Sequence, residues 1–160
     1  MIVFSGEATA TIEPNGNQNF VQYGHAASET FLNFLTLNPP VLEDYASSFT
    51  ASVTGQLTHL YVTMAVDSPT FNDWTSITPI SVRILKDGVP LPIIQDLFLF
   101  FDKTDFGGQR VLTLPTAAIS PTTLLPGERI ALRTAFIQAR PDQSVTLHYA
   151  ISASVRFLPI

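Results

Sequence analysis

From Val145 to Phe157 the chain alternates without a break. Val145, Leu147, Tyr149, Ile151, Ala153, Val155 and Phe157 stand against Thr146, His148, Ala150, Ser152, Ser154 and Arg156. A helix would scatter these apolar side chains around its circumference, whereas a strand gathers them all on one face. The same period of two recurs upstream. Ile130, Leu132, Thr134 and Phe136 alternate with Arg129, Ala131, Arg133 and Ala135, and Leu60, Val62, Met64 and Val66 alternate with His59, Tyr61 and Thr63 after an expected turn at Gly55. Ile80, Val82 and Ile84 lead into Lys86-Asp87-Gly88, a hairpin signal, with Val89 to Ile94 as the returning strand. Less regular strands are expected at Glu7–Ile12, Asn19–Tyr23, Ser47–Thr54, Asp96–Phe101 and Arg110–Leu114.

Pro14-Asn15-Gly16, Pro39-Pro40, Asp67-Ser68-Pro69, Gly107-Gly108, Leu125-Pro126-Gly127 and Arg140-Pro141-Asp142 punctuate these runs as turns or loops. Twelve prolines leave little room for long helices, and only Ser28–Leu37 could form a helical turn. About eight to ten strands at such spacing read as an all-β sandwich or barrel. Neither a composition shift nor a linker divides the 160 residues, so the expectation is one domain spanning 1–160.

Charged residues make up 13% of the chain, about half the ~25% of ordinary soluble domains. The mean hydropathy is positive, at +0.26. A small domain has much surface to keep wet, so either Thr, Ser, Asn and Gln take that role or a partner covers part of the surface, and the positive hydropathy favours the partner. A net charge of −5 with eight basic residues argues against nucleic acid, whose phosphates require clustered Lys and Arg. No apolar run reaches the ~18–20 residues of a membrane-spanning helix. The opening Met1-Ile-Val-Phe-Ser-Gly lacks the charged and long apolar regions of a signal peptide, so export would use another route or the sequence would be part of a longer protein. The absence of cysteine excludes disulfides, thiolate metal sites and cysteine nucleophiles without fixing a compartment.

Catalytic patterns are incomplete. His25, His59 and His148 are far apart, no His-x-His pair exists, and exposed or hydrogen-bonded histidines are the simpler reading. Asp102 and Asp105 ahead of Gly107-Gly108 fit a solvated turn better than a calcium loop. No Gly-x-Ser-x-Gly occurs, and adjacent Glu43 and Asp44 would point to opposite faces of an extended chain. Neither a catalytic residue, a metal ligand set nor a cofactor site is therefore expected. Phe71, Asp73 and Trp74 form a candidate ligand loop for a sugar ring or a partner, although two aromatics there would also suit the end of a sandwich. Arg129 and Arg133 share one strand face, which suits a solvated or interfacial surface better than an anion site.

Gly55-Gln-Leu-Thr-His-Leu-Tyr-Val-Thr-Met-Ala-Val is followed by Val82-Arg-Ile-Leu-Lys, a Gly-Val-Pro-x-Pro turn from Gly88 to Pro92, Leu125-Pro-Gly-Glu-Arg-Ile-Ala-Leu, and a final strand rich in Ala and Ser. Over residues 47–158 this order resembles the C-terminal heads of collagen-like exosporium glycoproteins of the BclB type, within the tumour-necrosis-factor and complement-head jelly-roll superfamily. No Gly-x-y repeat precedes it, and the segment Phe20 to Tyr45 has no counterpart in the family pattern. The resemblance implies a jelly roll of about ten antiparallel strands that forms a homotrimer, with the first, last and third strands facing the three-fold axis. It further implies a collagen-like stalk or other surface proteins as partners, and an extracellular or spore-surface location.

With the alternation above, the last strand and the strand after Gly55 become neighbours. His148, Ala150 and Ser152 on one, and His59, Tyr61 and Thr63 on the other, would face the partner subunits. Burial of both histidines at the axis would weaken the trimer below about pH 6. The expected function is that of a non-catalytic trimeric head acting in trimerisation, capping and adhesion. A viral or phage decoration protein or fibre tip, and a carbohydrate-binding module, are the alternatives.

Overall fold

The computed structural model describes residues 1–25, 30–38, 48–70, 80–92, 98–99, 110–113, 117–136 and 144–160. Described residues form twelve strand segments and no helix: β1 (Ile2–Ile12), β2 (Gln18–Tyr23), β3 (Thr30–Thr36), β4 (Phe49–Thr50), β5 (Gly55–Thr70), β6 (Ile80–Lys86), β7 (Val89–Pro90), β8 (Phe98–Leu99), β9 (Arg110–Thr113), β10 (Ala117–Leu124), β11 (Arg129–Phe136) and β12 (Val145–Pro159). All pairings are antiparallel, in the order β10-β5-β12-β1-β2-β11-β6-β7. Among these eight strands the first pairs with the last, the second with the seventh, the third with the sixth and the fourth with the fifth. That is jelly-roll winding.

The sheet curls so that its two halves face each other. β1 and β2 share a single backbone pair, Ile12↔Gln18. It lies beside a five-residue connection, Glu13 to Asn17, closed by Glu13 N–H to Asn17 O (2.8 Å) and the turn bond Gly16 N–H to Glu13 O (2.9 Å), with Gly16 at φ 92°. Beyond that hairpin the halves separate, and side chains replace the ladder. Asn19 accepts from Thr11 N–H (2.6 Å) and donates to Asn33 (2.5 Å), which donates to Thr9 O (3.2 Å). Inward residues of both halves make one core, including Phe4, Leu60, Met64, Ile84, Leu132, Leu147 and Val155.

Turn chemistry accounts for the connections. Asp87 and Gly88 both have positive φ, the condition for a two-residue type I′ hairpin between β6 and β7. Gly127, at φ 91° behind Pro126, supplies the left-handed position of the turn into β11.

Three expectations are corrected. Ser28–Leu37 contains strand β3, because pairing with β2 through Phe20↔Phe34 and Asn19↔Leu35 overrides a weak helical pattern. Gly55 opens β5 rather than turning. Asp67-Ser68-Pro69 lies within β5, paired to β12 through His148↔Asp67 and Thr146↔Thr70 around a register shift. Among the described residues β9 pairs with β5 at Thr63–Val66, so no ladder described on that side needs the missing N–H of Pro69.

Between the layers, Thr134 Oγ1 and Tyr149 Oη form a buried 2.6 Å hydrogen bond. Tyr23 Oη lies buried beside this pair without a well-formed bond of its own. Burial, reinforced by Tyr149, pushes the Tyr23 hydroxyl far above its ordinary value of about 10, and burial raises Tyr149 as well. A raised tyrosine means the folded state holds its proton more tightly than the unfolded chain. Stability is therefore full below about pH 10 and falls as pH rises further, by about 1.4 kcal/mol per pH unit for each tyrosine. Alkaline titration followed by circular dichroism should show unfolding that begins above pH 10, and Tyr23→Phe should move it to higher pH. An unfolding midpoint identical in both proteins would contradict this account.

Candidate functional site

The outward face of β1, β12 and β5 carries the residues that the sequence assigned to a partner-facing surface. Each strand alternates, so the residues between core positions are forced outward together. On β12 these are Thr146, His148, Ala150, Ser152, Ser154 and Arg156. On β1 they are Val3, Ser5, Glu7, Thr9 and Thr11. On β5 they are His59, Tyr61, Thr63 and Ala65.

Register aligns them in cross-strand rows. Val3, Ser154 and Tyr61 form one row, Ser5, Ser152 and Thr63 the next, and Glu7, Ala150 and Ala65 the third. Thr9 Oγ1 meets His148 Nδ1 at 2.9 Å, and Thr11 and Thr146 join hydroxyls at 2.9 Å. Glu7 and Arg156 are the charged groups among the side chains described on this face.

The sequence-derived set His59, Tyr61, Thr63, His148, Ala150 and Ser152 thus lies on one face of two neighbouring strands. The two histidines are not brought together. His148 is opposite Asp67, eight residues along β5 from His59, or about 26 Å at the rise of a strand. Any like-charge contact on protonation would therefore have to arise between copies of the chain. His59 bonds Thr58 Oγ1 at 3.0 Å and stacks on Tyr61 at 6.4 Å between centroids.

The contribution of β1 residue by residue escaped the sequence reading, which began that strand at Glu7. The signal was present, since Ile2, Phe4, Gly6, Ala8, Ala10 and Ile12 alternate with Val3, Ser5, Glu7, Thr9 and Thr11. Phe71, Asp73 and Trp74, together with Glu43, Asp44, Asp102 and Asp105, lie outside the described residues.

The other layer differs in character. Arg133 on β11 is paired in register with Arg83 on β6 and with Gln22 on β2. Its guanidinium lies 5.7 Å from the Phe20 ring centroid. Burial, and then the neighbouring Arg83, lower the Arg133 pKa. Basic groups thus gather behind β11 and β6, while the face of β1, β12 and β5 is nearly neutral.

Among the described residues no three His, Cys, Asp or Glu side chains converge as metal ligands. Among them, too, no helix is long and apolar enough to cross a membrane. No protein-family model matches the chain, and no curated protein matches it significantly.

Proposed function

We propose that this chain is a structural, non-catalytic head that assembles as a homotrimer through the outer face of β1, β12 and β5. The observation that carries this reading is the face itself: a sheet surface of mostly small, uncharged side chains on which Glu7 and Arg156 are the charged groups among the side chains described. Close approach of two sheets requires small residues, and a water-facing sheet would ordinarily carry more charge.

The area is sufficient. Eleven residues of β1 at about 3.3 Å each, across three strands about 4.8 Å apart, give about 500 Å² of sheet. Two copies would cover about 1,000 Å², where specific interfaces begin. Three-fold closure, a place on a spore or other surface fibre, and attachment to a collagen-like stalk come from the family resemblance. The jelly-roll winding is compatible with all three.

Light scattering behind size exclusion should give a mass three times the chain's 17.5 kDa at neutral pH. A monomeric mass over the micromolar range would refute the reading.

A further inference from the structure

We propose that Asn15 is a site of spontaneous covalent modification, deamidating through a succinimide within the β1–β2 hairpin. It is the chain's single Asn-Gly pair. It stands at the exposed tip of the loop, where Gly16 adds no side chain to hinder attack and already occupies φ 92°.

The chemistry needs only water and its base. The Gly16 backbone nitrogen gives its proton to solvent and attacks Asn15 Cγ. A new N–Cγ bond forms, the Cγ–Nδ2 bond breaks, and the amide leaves as ammonia. Water then opens the five-membered ring at either carbonyl, leaving aspartate or isoaspartate.

Two contacts act on this step in opposite senses. Asn17 N–H donates to Asn15 Oδ1 at 2.8 Å, the oxygen on which negative charge develops in the tetrahedral intermediate. Gly16 N–H is held by Glu13 O at 2.9 Å and must first be released. Releasing one such bond slows the reaction by about tenfold at most. The Gly16 bond therefore delays the conversion without blocking it.

The position gives the product structural reach. Isoaspartate lengthens the backbone of the loop that sets Ile12↔Gln18, the one backbone pair between β1 and β2.

The test is to hold the full chain, native and in denaturant, in mildly alkaline buffer at 37 °C and to map digests by mass spectrometry over time. The peptide bearing Asn15 should gain one dalton in the native protein, within about ten times the interval the denatured chain requires. Native Asn17, Asn19 and Asn33 should remain unchanged over that interval, and Asn15→Gln should abolish the gain. Asn15 unchanged in the native chain after that interval would overturn the proposal. So would a first native conversion at any other asparagine.

Discussion

Arginine in place of Ser152 is expected to reduce the solution mass to one third while leaving the fold intact. Ser152 is exposed at the centre of the neutral face, between Ser5 on β1 and Thr63 on β5. In an isolated chain an arginine there reaches water, and exposed substitutions of this kind change stability by only about 0.5 kcal/mol. In a trimer closed over this face, three guanidinium groups would be enclosed beside one another where small hydroxyl and methyl groups now stand, each with the Glu7 carboxylate one row along. Enclosing three like charges on three long side chains in a close-packed face costs several kcal/mol, enough to open the assembly at micromolar concentration. Light scattering reads the mass, and far-ultraviolet circular dichroism reads the fold. A trimeric Ser152→Arg protein would remove this face as the interface.

Gly55→Ala should be destabilising, because the start of β5 has no room for one more methyl group. An added Cβ would collide with Cε2 and Cζ of Phe157 and sit 2.8 Å from the carbonyl oxygen of Leu158. The Phe157 ring is not free to swing away. It packs edge-on against Phe49 at 6.0 Å, and Phe49 packs against His25 at 5.5 Å. The Leu158 oxygen belongs to β12, which pairs with β5 here through Leu158↔Gln56 and Pro159↔Gly55. Overpacking of this kind costs about 1–3 kcal/mol, which for a chain of this length lowers the melting temperature by roughly 2–12 °C. Phe157→Leu in the same protein should recover part of the loss, since it removes the atoms that clash. An unchanged melting temperature for Gly55→Ala would show that the ring yields freely.

Period-two alternation made β12, β11 and β6 readable from residues alone, because each has a core on one side and a different environment on the other. The Asp87-Gly88 and Pro126-Gly127 turns were equally legible, since positive φ selects Gly at 88 and 127 and is tolerated by Asp87, while Pro126 presets the negative φ ahead of Gly127. β10 was missed because Pro121 reads as a breaker. It falls where the pairing with β5 shifts register between Ala118 and Thr122, at the outer edge of the sheet, where a missing N–H is tolerated. β3 was misread because Phe31, Phe34 and Leu35 lack a clean period, and its strand form depends on a partner distant from those local preferences. Of the candidate face, the parts on β12 and β5 could be derived from alternation. That they are neighbours required the winding of the whole chain.

The winding also dictates when the molecule can finish folding. β12 is hydrogen-bonded on one side to β1 and on the other to β5, so the middle strand of its layer is the last one synthesised. Until it arrives, β1 and β5 each present a long unpaired edge, and the inward residues of both lack their cover. Ile2 must wait for Val155. Such distant pairing makes closure slow and leaves the nascent chain prone to edge-to-edge association. An intermediate in which β12 has not yet docked is therefore the species most exposed to such association.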